Sequence, residues 1–203
     1  MADLHITGIV LAAGHASRMG HSKLALPLGE TNVIGWTLRN VEASELDDIV
    51  VVTGAHVEGL DLTPTRAKVV HNSDPAGGSV TSLLTGIAAA DDPDAVMVLL
   101  GDSPEIDPPI IDHVLADYRR LPDWAAVTEY HDGIAHPYVL SRELYETLGE
   151  ATGDKVLWRI LNDNFERARK IRVPQMKPDD IDTWDDYIDV CDAFGLDPGE
   201  RPA

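Results

Sequence analysis

Residues 6–14 read ITGIVLAAG. Five of the first six, all but Gly8, are β-branched or aliphatic, and the run then stops on two alanines and a glycine. A short apolar run bounded in this way predicts a buried strand. Beyond it, TNVIGWTLRNVEAS (31–44) has apolar residues at near-helical spacing, and DDIVVVTG (47–54) and AKVVHN (67–72) are short apolar runs that end in turn residues. GGSVTSLLTGIAAA (77–90) reads as a helix opened by glycine and serine. AVMVLLGDSP (95–104) is a strand of six apolar residues closed by Gly-Asp-Ser-Pro, and PPIIDHVLADYRRL (108–121) is a helix with prolines in its first turn. Strands alternating with helices predict an α/β fold in three layers around a mostly parallel, doubly wound sheet. In such sheets the ligand sits beyond the carboxyl ends of the strands, where Leu11 to Gly14 and Gly101 to Asp102 both fall.

The second half is less regular. WAAVTEY (124–130) and AHPYVLS (135–141) flank an His-Asp-Gly turn, which predicts a hairpin rather than a crossover. SRELYETLGE (141–150) and DKVLWRILNDNF (154–165) read as helices, and RARKIRVP (167–174) as a basic strand. DTWDDYIDVCDAF (182–194) is a final helix with Trp184, Tyr187, Ile188, Cys191 and Phe194 on its apolar face. With no repeat or linker in view, residues 1–194 read as a single domain and 195–203 as a flexible tail.

The bulk numbers narrow the class. A chain of 203 residues that is 44% hydrophobic can bury a core, so disorder is not its default reading. No apolar run approaches the roughly 18–20 residues of a membrane span. The start, MADLHITGIVLAAG, lacks the basic segment of a secretory signal. The single cysteine, Cys191, cannot form an internal disulfide and reads as core, which suits a cytoplasmic protein. A formal net charge of −19 argues against nucleic acid or anionic membrane as partner. That charge is uneven: residues 1–40 sum to +1 and the remainder to −20, so an anionic ligand is least repelled near the first loop.

That loop, HASRMGHSK (15–23), follows the first strand and fails two familiar phosphate patterns. Gly14 and Gly20 are separated by five residues, not the four of a P-loop, and Gly8, Gly14 and Gly20 do not make a dinucleotide fingerprint. Small residues at Ala12, Ala13 and Gly14 still allow close backbone approach to a base or ribose. Arg18 offers a planar fork and Lys23 a compact charge for a triphosphate. Spacing alone leaves open the alternative of a glycine-rich connection with two solvated cations. Asp102, at a strand end facing this loop, has the hard oxygens that Mg²⁺ prefers, although Gly-Asp-Ser-Pro is also an ordinary turn. Asp180 and Asp182 are further metal candidates, with helix capping by Asp182 or Thr183 as the alternative.

A family resemblance bears on these alternatives and leaves open which of Asp180 and Asp182 reaches the metal. LAAGHASRMGHSKLALPLG (11–29) resembles the signature of the MobA-like nucleotidyltransferases, approximately L-A-A-G-x-S-x-R-M-G-x-x-K-x-L-L-P, with Ser17 one place later than the usual serine. GGSVTSLLTGI resembles the family's G-M-x-S-S-L-x-x-G-L, GDSP its G-D-x-P, and DIDTWDDY (180–187) its D-I-D-T-P-E-D-Y. The subgroup most similar is the molybdenum cofactor cytidylyltransferases. Members keep alanine at the Ala13 position, and AHPYVLSRELYETLGEATGDK (135–155) resembles their later segments. Ser79, Val156 and Trp184 depart from the pattern, standing for methionine, glycine and proline.

The resemblance implies a Rossmann-like nucleotidyltransferase fold and a cytoplasmic, Mg²⁺-dependent enzyme. It implies transfer of CMP from CTP to the phosphate of molybdopterin, with pyrophosphate released. Leu11, Ala12, Ala13, Gly14, Arg18, Lys23 and Ser82 would bind nucleotide. Arg18, Lys23 and Asp102 would be catalytic, and Asp102, Asp180 and Asp182 would hold the metal. A molybdoenzyme would receive the product. Alternatives are another phosphorylated acceptor, a nicotinamide-dependent reductase on the same fold, or a non-catalytic molybdopterin carrier. Zinc and serine-hydrolase chemistry find no support: the eight histidines show no H-E-x-x-H pair, and no G-x-S-x-G occurs.

Overall fold

A computed structural model describes residues 4–14, 22–55, 57–63, 66–74, 78–150 and 156–201. In chain order the elements are β1 (Ile6–Ala12), β2 (Pro27–Leu28), β3 (Thr31–Asn32), α1 (Val33–Glu42), β4 (Asp48–Thr53), β5 (Ala67–His71) and α2 (Ser79–Ala89). There follow β6 (Ala95–Leu100), α3 (Pro108–Arg120), β7 (Ala125–Tyr130), β8 (Gly133–Ser141), α4 (Arg142–Thr147), α5 (Val156–Asp163), β9 (Ala168–Arg172) and α6 (Trp184–Ala193). Seven strands form one sheet in the order β5-β4-β1-β6-β8-β7-β9, and β2 and β3 form a separate ribbon.

β1 is buried, as its apolar run predicts, and it is central: it pairs in parallel with β4 on one side and β6 on the other. Its side chains alternate between two cores. Ile6 and Val10 pack with α1 and α3 on one face, while Ile9 packs with α2, α4 and α5 on the other. These are the three layers expected. β5, at the sheet edge, is half-exposed despite its valines.

The hairpin predicted around residues 124–141 is present. β7 and β8 pair antiparallel across a tight turn at Gly133, whose φ of +148° suits glycine. β8 also pairs antiparallel with β6, so the reversed strand lies inside the sheet and the other six run one way. A two-residue turn cannot make the crossover a parallel neighbour needs.

Helix starts follow their caps. The Asn32 side chain accepts from the Gly35 N–H, Asp107 accepts from Ile110, and Thr183 and Asp186 form a capping box on α6. In α6 the buried residues are Tyr187, Val190 and Cys191, with Ile188 only half-buried; the predicted face is therefore rotated towards Val190. The reason is that α6 packs on the β2–β3 ribbon, against Leu26, Leu28 and Val33, and not on the main sheet. Leu196 returns to the same cluster, its N–H donating to the Cys191 carbonyl at 2.8 Å. Among the described residues no helix is long and apolar enough to cross a membrane.

Candidate active site

The strand ends of β1 and β6 meet as the sequence predicts. The Gly101 N–H donates to the Leu11 carbonyl at 2.9 Å, which places Asp102 beside Ala12 and Ala13 at the carboxyl edge of the sheet. A Cβ at Gly101 would stand 2.8 Å from Ile34 Cδ1 and 3.2 Å from the Leu11 carbonyl oxygen, so this close approach requires glycine. Lys23 opens a short 3-10 turn, Lys23–Ala25, pinned by buried Leu24. Its ammonium pairs with the Asp102 carboxylate and donates to Asp182 Oδ1 at 2.8 Å.

Asp182 arrives from the loop before α6. That loop is anchored by the fully buried Ile181, whose N–H approaches the Asp102 carbonyl at 3.4 Å. The Ser103 hydroxyl, itself buried, donates to Asp180 Oδ1 at 2.8 Å. The capping alternative holds for Thr183, which leaves Asp180 and Asp182 turned to the site. Two chain segments more than 150 positions apart thus form one charged cluster.

Burial sets the electrostatics. The Asp102 side chain is 13% exposed, and desolvation raises its carboxyl above the usual range, with Lys23 offsetting only part of that. Burial likewise raises Asp180, against the Ser103 hydrogen bond. For Lys23, burial favours the neutral amine, but the pull of Asp102 and Asp182 outweighs it and the net shift is upward. Two carboxylates, Asp102 and Asp182, pair with the Lys23 ammonium, and Asp180 lies close enough to feel its charge. A hard cation is the charge that such a set accommodates, and its oxygen donors fit Mg²⁺. No group of three or more His, Cys, Asp or Glu side chains among the described residues is placed to hold a metal ion, so Asp102, Asp180 and Asp182 do not form a joint three-carboxylate site. One or two carboxylates suffice where substrate phosphates complete the shell.

A cavity of about 500 Å³ has Lys23 and Asp102 in its wall, whereas Asp180 lines a neighbouring cavity and Asp182 lines neither. Six predicted residues line the first of these cavities: Leu11, Ala13, Gly14, Lys23, Ser82 and Asp102. A Cβ at Gly14 would point into open space, so the cradle is roomy there. Ala12 is not among the lining residues, because the strand's alternation turns its methyl into the core. Arg18, and with it Ser17, His15 and His21, lies outside the described residues. The amino end of α2 completes the wall through Gly78 and Ser79. Its N-cap residue, Gly78, makes no side-chain cap, and the N–H groups of its first turn suit phosphate oxygens.

Sequence reasoning missed three features. Asn72 is buried and donates to Ser82 Oγ at 3.0 Å and Thr81 Oγ1 at 3.1 Å, fixing the start of α2. Ser103 holds Asp180; its place inside Gly-Asp-Ser-Pro was the available signal. A second cavity, of about 610 Å³, shares Leu11, Ser79 and Leu100 with the first and is walled by His136, Tyr138 and Trp158. His136 and Tyr138 alternate on one strand, a two-residue spacing that signals a shared face.

Residues 8–170 match the MobA-like NTP transferase domain, a span that takes in the first loop, α2 and Asp102. The chain belongs to the MobA-like NTP transferase family. This makes it a nucleotidyltransferase whose substrate is a nucleoside triphosphate. The MobA-like match ends before Asp180 and Asp182, so the loop that completes the charged cluster comes from beyond it.

Purine catabolism protein PucB of Bacillus subtilis (strain 168) is 27% identical over 200 residues, covering 92% of this chain and 96% of that protein. Molybdenum cofactor cytidylyltransferase of Escherichia coli (strain K12) is 27% identical over 196 residues, covering 92% and 95%. Among solved structures, a Mycobacterium tuberculosis rv0371c homologue from Mycobacterium sp. strain JC1 superposes with a TM-score of 0.81 at 33% identity, covering 93% of this chain and 96% of that one. Rv0371C of M. tuberculosis H37Rv in complex with manganese gives 0.78 at 27% identity, covering 93% and 99%.

Proposed function

We propose that the protein is a cytidylyltransferase that moves CMP from CTP to the phosphate of molybdopterin and releases pyrophosphate. The observation that carries this reading is the half-buried Lys23–Asp102 pair, where the ends of β1 and β6 meet under a cavity of nucleotide size. Similarity to a molybdenum cofactor cytidylyltransferase over nearly the whole chain supports the acceptor and the base. The manganese complex of a relative supports a divalent metal, which we assign to Mg²⁺.

An acceptor phosphate oxygen attacks the α-phosphorus in line. The new P–O bond forms as the bond from that phosphorus to the β-phosphate oxygen breaks, and pyrophosphate leaves with the electron pair. The acceptor phosphate is already ionised near neutral pH, so no strong general base is required. Lys23 neutralises charge that grows on the leaving group, and the first-turn N–H groups of α2 hold phosphate oxygens. Arg18 adds a second cation from the loop. Asp102, with Asp180 or Asp182, would hold Mg²⁺, which supplies positive charge to the phosphate oxygens when bound.

Pyrophosphate release with each nucleotide, with and without molybdopterin, tests the reading. CTP is expected to exceed GTP by at least about tenfold in kcat/KM, roughly 1.4 kcal/mol, because the Ala13 methyl takes room a purine would need. Equal rates with both nucleotides would remove the cytidylyl assignment. Turnover only with a different phosphorylated acceptor would replace molybdopterin.

A further inference from the structure

The Lys23 ammonium stands on the carboxylate assigned to the metal. It pairs with Asp102, just beyond β6, and donates to Asp182 Oδ1 at 2.8 Å, so it joins the two chain segments that supply the candidate carboxylates. Only 21% of its side chain and 13% of the Asp102 side chain are exposed, which leaves little room for a second cation between them. A divalent ion on the same Asp102 oxygen would lie against the ammonium, and like charges that close repel strongly where water is largely excluded. Ammonium and metal therefore compete for this carboxylate.

The backbone beneath Lys23 is held in place, whereas its charge hangs on a long stem. Leu24 is buried in the core under the short Lys23–Ala25 turn, and the Ala25 N–H donates to the Ser22 carbonyl at 2.9 Å. The four-carbon stem is flexible and ends in a compact charge, so the ammonium can change partners while the turn stays where it is. Lys23 and Asp102 both line the nucleotide cavity. A triphosphate entering that cavity meets the ammonium and offers it anionic oxygens in place of the carboxylates.

We propose that Lys23 is an internal stand-in for the metal: without nucleotide it fills the cation position on Asp102, and an incoming triphosphate draws it away and frees that carboxylate for the divalent ion. Nucleotide and metal then bind cooperatively, each strengthening the other by linkage. The exchange rests on the nucleotidyl-transfer reading and adds an order of events to it. It also separates two duties of the site, since Lys23 cannot serve the leaving pyrophosphate while it remains on Asp102.

Mn²⁺ alone is the first probe, titrated into the full nucleotide-free chain and followed by the paramagnetic resonance of the free ion. Lys23→Met should bind Mn²⁺ at least about tenfold more tightly than the wild type, within the usual range of coupling between sites. Lys68→Met removes the same charge from the exposed edge strand β5 and should stay within about twofold of wild type. Added Mg²⁺ should raise the melting temperature of Lys23→Met more than that of the wild type. Equal Mn²⁺ affinities for wild type and Lys23→Met, or an equal gain in Lys68→Met, would overturn the stand-in. The second probe is a CTP analogue with a methylene between its α- and β-phosphates, added with EDTA to protein carrying isotope-labelled lysine. The NMR signal of the Lys23 ammonium, assigned by its loss in Lys23→Arg, should shift as the analogue binds. An unmoved signal in the nucleotide-bound protein would keep Lys23 on Asp102 and overturn the exchange. The Mn²⁺ titration uses no nucleotide. Failure to bind the analogue would therefore count against the transferase reading, while the Mn²⁺ affinities still decide whether Lys23 holds the cation position.

Discussion

Lys23 and Asp102 carry opposite consequences for stability although both serve one site. Read as a loop cation, Lys23 would leave the melting temperature unchanged when removed. Its half-buried position, paired with Asp102 and Asp182, changes that expectation. Lys23→Ala strands a desolvated carboxylate, so thermal unfolding should reveal a loss of about 1–3 kcal/mol as well as weaker triphosphate binding. Adding Asp102→Asn to it removes the stranded charge; melting temperature should recover while turnover does not. Asp102→Asn alone keeps the shape and turn bonding but lacks the charge a cation needs. Its kcat/KM should fall at least about a hundredfold, roughly 2.7 kcal/mol, with stability level or higher. Near-normal turnover of Asp102→Asn at limiting Mg²⁺ would move the chemistry to another residue. Asp102 was legible because a strand, a glycine and an aspartate stand together in the sequence. Ser103 was not, because its partner Asp180 lies 77 positions away.

At the level of elements, the strands of the parallel half and the β7–β8 hairpin follow from local apolar runs and turn residues, but their neighbours do not. The insertion of β8 between β6 and β7, and the docking of α6 on the β2–β3 ribbon, depend on surfaces formed by distant segments. The edge strand β9 is tied to α3 by Arg169, which pairs with the Asp117 carboxylate and donates to the Asp117 carbonyl at 3.1 Å. For Asp117, burial favours the neutral acid, but Arg169 and Arg120 outweigh it and hold the carboxyl below its usual range. A carboxylate lowered in the folded state stabilises it above the ordinary pKa, and that stability is lost as pH falls through the folded value. Asp117→Asn should therefore cost about 1 kcal/mol at pH 7, with the gap to wild type closing on acidification. Urea midpoints of both proteins at pH 7 and pH 3 measure it; an equal gap at both would assign the cost to packing.

Across the whole molecule, the sheet and α2 form one continuous support for the site. Gly86 lets α2 sit on the sheet: a Cβ there would meet Ile9 Cγ2 at 2.5 Å and Val52 Cγ2 at 3.0 Å, both on stiff β-branched side chains. Gly86→Ala should lift α2, cost about 1–3 kcal/mol in urea denaturation and raise KM for the nucleotide, since Ser79 and Ser82 move with the helix. Unchanged KM in a destabilised variant would show that the helix start is positioned independently, through Asn72. Apolar periodicity, caps and short motifs in the sequence by themselves determined the α/β class, the buried first strand, the hairpin and the loop-and-aspartate pair at the strand ends. Each is encoded within a few neighbouring residues. Tertiary structure alone decided the rest: the burial that raises Asp102, the meeting of Lys23 with Asp182, the turning of Ala12 into the core, and the ring-walled second cavity. Those properties belong to distances and solvent exclusion between segments far apart in the chain, and no local pattern records them.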